Sequence, residues 1–288
     1  MIPAAFEYAR PASLDEALKI LAAGDGATKV IAGGQSLIPL LKLRLASADK
    51  LVDIGRLGEL RGVRQLPDGR LAVGALTTYR ELMDSPAKHY GLLKDAVPQI
   101  GDVQVRNRGT VGGSIAHADP ASDLPACLLA LDAEIVARSP RGERVIPATE
   151  FFQGAFETVL DHDEILTEIR LPGPRDDAGS AYAALEQPAS GYAIVGAAVV
   201  VVRGESGGPL TYSTVAITGV GEVAYRAAAV EKALTGSDGS AGAIAAAAEH
   251  ATDGITVRGD IHADAAYRSA MAAVYTRRAI EAALVRLG

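Results

Sequence analysis

Apolar and polar positions along this chain fall into short blocks whose period switches between helical and strand-like. Leu14, Leu18 and Leu21 share one face at helical spacing, with Ser13 and Glu16 placed as a capping box and Gly24 as a stop. Lys29 to Ala32 reads as a strand, 37–43 as a short helix or extended segment, and Lys50 to Ile54 as another strand. Together they suggest a small βαβ unit. Leu60 to Leu66 and Leu71 to Leu76 flank the turn signal Pro67-Asp68-Gly69-Arg70 and predict a β-hairpin, after which Thr77-Thr78 caps a short helix. Leu92 to Ile100 and Leu124 to Leu131 read as helices, and 133–138 with 144–147 as a second hairpin around Pro140-Arg141-Gly142. Glu164 to Leu171 alternates like a strand facing an edge.

Pro172-Gly173-Pro174-Arg175-Asp176-Asp177 is the best linker in the chain and divides residues 1–175 from 176–288. Beyond it 181–186, 193–203 and 210–218 predict an antiparallel meander, and 227–234, 241–251 and 263–287 predict helices. Tyr267, Met271 and Val274 recur at helical spacing and read as core positions.

Two glycine pairs punctuate the first half. β-branched Thr110 and Val111 precede Gly112 and Gly113, which predicts a strand end running into a turn. Residues without a Cβ let backbone N–H groups come close to an anionic ligand. A polar loop with Asp119-Pro120 and Ser122-Asp123 follows, and Asp123 is either a helix N-cap or a ligand contact. Thr28 to Leu37 repeats the theme, an apolar strand ending in Gly33-Gly34 and then Gln35 and Ser36. Two such loops could clamp one diphosphate from two sides.

Composition narrows the function. At 288 residues, 49% hydrophobic and 22% charged, the chain suits about two domains with a large core. Its net charge of −7 argues against nucleic-acid or membrane-surface partners. The N-terminal residues lack the basic and apolar regions of a signal peptide and no apolar run is long enough to span a bilayer, so the expectation is a cytoplasmic protein. Cys127, the only cysteine, sits in an apolar run and reads as core; an iron–sulfur cluster takes about four thiolates. The five histidines show no pair at metal-ligand spacing, and no Ser-His-Asp set or Walker lysine is present. Nothing in the sequence reads as an acid, base or nucleophile for substrate chemistry.

Phe6-Glu7-Tyr8-Ala9-Arg10-Pro11, Ala32 to Leu37, Leu51-Val52-Asp53-Ile54, Gly74 to Thr78, Val105 to Gly113, Ser122-Asp123-Leu124-Pro125, Arg258-Gly259-Asp260 and Tyr267-Arg268 occur in this order. With these motifs the chain resembles the FAD-binding medium subunit of molybdenum hydroxylases, the group of carbon monoxide dehydrogenase and the xanthine dehydrogenase flavin domain. The resemblance implies an α+β protein with a two-subdomain FAD-binding domain of PCMH/VAO type. Its subdomains would be about 1–56 and 57–175, followed by a C-terminal three-stranded antiparallel sheet with helices.

The resemblance also implies a site. Ala32, Gly33, Gly34, Gln35, Ser36 and Leu37 on one side, and Thr110, Val111, Gly112, Gly113 and Ser114 on the other, would hold the phosphates and ribose of FAD. Asp123 would accept hydrogen bonds from ribityl or nearby hydroxyls, Leu166 would pack near the isoalloxazine and Ile100 near the adenine. His117 is a further candidate contact. Tyr192 covers a flavin face or packs at the surface. Glu186 departs from the family, which often carries Lys or Arg near the flavin pyrimidine edge, where a cation favours reduction and a carboxylate opposes it. Arg106 and Arg108 either neutralise phosphate or lie in solvent or at a subunit contact.

Functionally the resemblance implies an electron-transfer subunit of a heterotrimer. A large subunit would carry molybdopterin, a small subunit two [2Fe-2S] clusters, and this chain FAD that serves an external acceptor. A dimer of such trimers is expected. A free-standing flavin-dependent oxidoreductase with its own substrate pocket and a non-catalytic nucleotide-binding module are the other readings.

Overall fold

The computed structural model describes residues 1–24 and 26–287, with Ser206 as backbone only. Its first unit is a parallel sheet in which Lys50–Asp53 lies between Glu7–Ala9 and Thr28–Ile31. The helices Leu14–Ala22 and Leu37–Leu43 make the crossovers. Leu14, Ala17, Leu18 and Leu21 are buried in one cluster with Val52 and Ile54, as their spacing predicts. Ser13 accepts the Glu16 N–H at 3.2 Å, while the Glu16 carboxylate accepts from Ala12 at 2.7 Å, one residue earlier than the capping box anticipates.

The second unit is an antiparallel sheet in the order Val63–Gln65, Leu71–Gly74, Ile165–Leu171, Glu134–Ser139, Gly142–Pro147. Both expected hairpins are present. Ile165–Leu171 does not face an edge, however: it is the central strand, and only Arg170 in it escapes burial. Its polar alternation is deceptive because Glu168, 7% exposed, is neutralised from both sides by Arg64 and Arg170.

Gly112 and Gly113 correct a second expectation. They do not follow a strand end; they lie in the first turn of the helix Val111–His117, whose N-cap Thr110 accepts the Gly113 N–H at 3.2 Å. The helix Asp123–Ala130 comes next, with every residue buried.

The third unit is a meander of Ala178–Glu186, Ala193–Arg203 and Leu210–Thr218, extended at one side by the two-residue strand Tyr225–Arg226. Helix Ala265–Val285 covers the first two strands, and Asp123–Ala130 packs on the second and third. A charged clamp locks the units together. The Arg286 guanidinium donates to both Asp95 carboxylate oxygens at 2.7 and 2.8 Å, and Asp95 also accepts the Tyr182 N–H at 3.0 Å.

Candidate functional site

Where Thr28–Ile31 ends, the chain turns through Gly33 and Gly34 into helix Leu37–Leu43. Gly34 has φ +73°, and a Cβ on Gly33 would overlap the Arg108 carbonyl oxygen, so both positions need glycine for backbone reasons. The two glycine-bearing segments therefore touch, with Gly33 seated on Arg108 and Gly109. A cavity of about 50 Å³ lies along this seam, lined in part by Gly33, Gly55, Arg61, Thr78 and Arg108. Among the described residues the N–H groups of Gly33, Gly34, Gln35 and Ser36 donate to no protein acceptor. Successive free donors around a left-handed residue make a concave seat for an anion.

The second pair contributes something else. Val111 N–H is bonded to Thr77 O, Gly112 N–H to Ala75 O, each at 2.9 Å, and Gly113 N–H to the Thr110 hydroxyl. Gly112 is required by packing, since a Cβ there would lie 2.5 Å from the Ala75 Cβ. Gly113 is exposed and bare. One segment thus offers N–H donors and the other a smooth helix face, in place of two matching donor loops.

Hydroxyls and a carboxyl gather beside this face. Ser114 Oγ lies 2.9 Å from Ser122 Oγ, and the Tyr79 phenol, pushed up to about 12 by burial, interacts with Ser114. Ser122, not Asp123, is the N-cap of Asp123–Ala130. Asp123 is 5% exposed and accepts the Tyr182 hydroxyl at 2.5 Å. Burial pushes its carboxyl up to about 7 against the pull of that hydrogen bond, and the charges of Glu186 and Asp119 push the same way. Near neutrality Asp123 can therefore donate to or accept from a hydroxylated ligand. Burial and then Asp123 raise the Tyr182 phenol in turn.

The C-terminal unit closes the cluster. Glu186 ends its strand at a register shift opposite Ala193, half-buried, and its carboxylate makes no hydrogen bond or ion pair among the described residues. Tyr192, 43% exposed, reaches Ser36 with its hydroxyl, and burial raises that phenol. Gly191 beside it packs on the Gln99–Gly101 turn that holds half-buried Ile100. Arg106 donates through Nη1 to Ile100 O at 3.1 Å and Gly101 O at 2.7 Å, which ties its guanidinium to this turn. Arg108 makes no ion pair among the described residues. The His117 ring stands 5.1 Å from the Phe156 ring, and burial lowers its pKa. Leu166, 4% exposed, lies in the core with Val111 and Ile115, under the helix that carries the second glycine pair.

Anion donors, a protonatable carboxyl with hydroxyls, and an exposed tyrosine beside Ser36 suit a ligand with a diphosphate, a polyol and a planar ring. Tyr79 and Tyr182 join this site without having been marked in the sequence, and Ser122, marked there only as part of the polar loop, joins it as the hydroxyl neighbour of Ser114. Tyr182 carries a faint signal there, as a large polar-tipped side chain on the inward face of a strand. Among the described residues no group of three His, Cys, Asp or Glu is arranged to hold a metal, and no helix is long and apolar enough to cross a membrane.

Residues 4–174 match the family model described as FAD binding domain in molybdopterin dehydrogenase, and residues 180–283 match CO dehydrogenase flavoprotein C-terminal domain. The chain is 38% identical to the carbon monoxide dehydrogenase medium chain of Hydrogenophaga pseudoflava, with 99% of each chain covered. It is also 38% identical to the 6-hydroxypseudooxynicotine dehydrogenase complex subunit alpha of Paenarthrobacter nicotinovorans, covering 99% of this chain and 97% of that one. The solved carbon monoxide dehydrogenase of H. pseudoflava superposes with a TM-score of 0.95 at 40% identity over 99% of both chains.

Proposed function

The chain belongs to the family of FAD-binding domains in molybdopterin dehydrogenases, and on that premise we propose that it is the electron-transfer flavin subunit of a cytoplasmic heterotrimeric molybdenum hydroxylase. Its cofactor is FAD. Bound FAD supplies a carrier that takes up and gives back electrons, and the protein supplies position and electrostatics.

The observation that carries the site assignment is the run of unbonded N–H groups from Gly33 to Ser36, abutting the second glycine segment. Those donors hold the diphosphate, bare Gly113 lets the ligand lie close, and Asp123 with Ser114 and Ser122 bonds the polyol. Tyr192 closes the mouth. Burial first, and then the neighbouring Glu186, raise the Asp123 carboxyl to about 7, so that it can exchange a proton near neutrality.

Electrons reach this subunit from [2Fe-2S] clusters of a small partner and leave to an external acceptor. The only cysteine, Cys127, is buried, so thiolate-held clusters need another chain. A large partner holds molybdopterin and oxidises the substrate. Two relatives equally similar to this chain are named for different substrates, carbon monoxide and 6-hydroxypseudooxynicotine, which supports substrate choice outside the flavin subunit. The assembly proposed is a dimer of heterotrimers.

Affinity purification of the full chain from its host tests this. The expected product contains one FAD per chain and two further subunits with molybdenum and iron. A colourless chain that takes up no added FAD overturns the reading. A solitary yellow chain that turns over a substrate without molybdenum makes it a free-standing flavoenzyme.

A further inference from the structure

Arg268 is the bulkiest fully buried side chain among the described residues, 1% exposed, on helix Ala265–Val285. A guanidinium out of water is costly unless every donor has a purpose. Here Nη1 donates to the carbonyls of Ile194 and Gly219, both at 2.6 Å, and Nη2 to Asp260 at 2.5 Å, while Nε has no partner. Arg258 Nε adds a bond to the same Gly219 carbonyl at 3.3 Å.

The gripped residues are the neighbours of a loop in the flavin-binding domain. Gly219 N–H donates to Pro120 O at 2.8 Å and Ala193 N–H to Ala121 O at 3.3 Å. The Thr218 hydroxyl spans Pro120 O at 3.0 Å and Ser122 O at 2.7 Å. All three carbonyls immediately before Asp123 are thus held by Ala193, Thr218 and Gly219, at the paired strand ends that Arg268 fastens through Ile194 and Gly219.

We propose that Arg268 is a positioning residue of the flavin site: by fixing the paired ends of strands Ala193–Arg203 and Leu210–Thr218 it holds the 120–122 loop, which aims Ser122 and Asp123 at the cofactor. The proposal rests on the FAD reading above. It requires no contact between Arg268 and the cofactor. A planar fork serves two carbonyls and a carboxylate in fixed directions, which the point charge of a lysine does not reproduce.

The test is FAD titration into the flavin-free full chain, followed by flavin fluorescence and by visible circular dichroism of the bound flavin. Arg268→Lys and Thr218→Val should each weaken FAD binding about tenfold and alter the flavin dichroism, and the double variant should lose no more than the worse single one. Thr276→Val is the control: this residue sits on the same helix, fully buried, with a hydroxyl that bonds nothing, and its replacement should leave FAD binding as in the parent. If Arg268→Lys does not fold, Asp260→Asn, which frees one arm of the fork, takes its place with the same expectation. Unchanged affinity and dichroism in these variants, additive losses in the double, or an equal loss in Thr276→Val overturns the proposal. A parent chain that binds no FAD overturns the flavin reading itself and this inference with it, so the two failures are distinct.

Discussion

Replacing Asp123 by Asn should make the flavin-free protein more stable at alkaline pH and poorer at holding FAD. The carboxyl is 5% exposed, and burial first, then Glu186 and Asp119, lift it from 3.8 to about 7 despite the Tyr182 hydrogen bond. A carboxyl lifted on folding favours the folded state only while it keeps its proton. Its contribution is full below 3.8 and is lost as pH rises through about 7. Across that window the loss is about 4 kcal/mol at about 1.36 kcal/mol per pH unit, a ceiling that relaxation around the buried charge reduces toward about 2 kcal/mol. Asn has the same shape, never ionises, and keeps an oxygen for the Tyr182 hydroxyl. The assay is urea unfolding from about pH 4 to about pH 9, read by tyrosine fluorescence because the chain has no tryptophan. Parent and variant should agree at the acid end and diverge by about 2–4 kcal/mol at the alkaline end, while FAD affinity in the variant falls about tenfold. Parallel stability curves across this range would refute the reasoning, because a carboxyl whose titration does not depend on folding is not held in a dry pocket.

Gly33→Ala puts a methyl group into the Arg108 carbonyl and should cost about 1–3 kcal/mol with loss of flavin; a normal melting temperature and flavin content would show that the seam is loose. Gly113→Val, at an exposed position where a Cβ would stand 2.7 Å from the Thr110 hydroxyl, should loosen that N-cap by about 1 kcal/mol, leave the protein folded and abolish FAD retention, and full flavin content in the purified variant would remove this helix face from the site. Glu186→Lys should raise the flavin reduction potential by about 30 mV for each ~1.4 kcal/mol of added stabilisation of the reduced form; an unaltered potential in a redox titration means that this side chain points elsewhere.

Much of this architecture could be read in advance where the signal is local. Leu14, Leu18 and Leu21 mark a helix by their own spacing, and the hairpins are announced by Pro67 to Arg70 and Pro140 to Gly142. Helix Val103–Arg108 could not be seen that way, since it buries no residue and so has no apolar stripe. The short strand Glu7–Ala9 is silent for the same reason. Thr110 and Val111 look like a strand end because both are β-branched, yet the Thr110 hydroxyl caps a helix and the next two amides are claimed by Thr77 and Ala75. Those partners lie 34 and 37 residues away in the sequence. The centre of the sheet was hidden by Glu168 and Arg170, whose charges read as solvent-facing until their mutual pairing is visible. In the site, Gly33 and Gly34 were legible because backbone geometry restricts the residue type there, whereas Asp123 stood out only by its place in the polar loop and in the family motif. Tyr182 and Asp123 are 59 residues apart, and only the packing of the third unit on the second brings them together.

The most direct test is an amide NMR titration of FAD into the flavin-free, isotopically labelled full chain. Saturable binding of one FAD, with the largest amide-proton shifts at Gly33, Gly34, Gln35 and Ser36 and small ones at Val111 and Gly112, is the expected result, because only the first group has donors free to meet a diphosphate. Binding that leaves the Gly33 to Ser36 amides unmoved, or no binding, would contradict it.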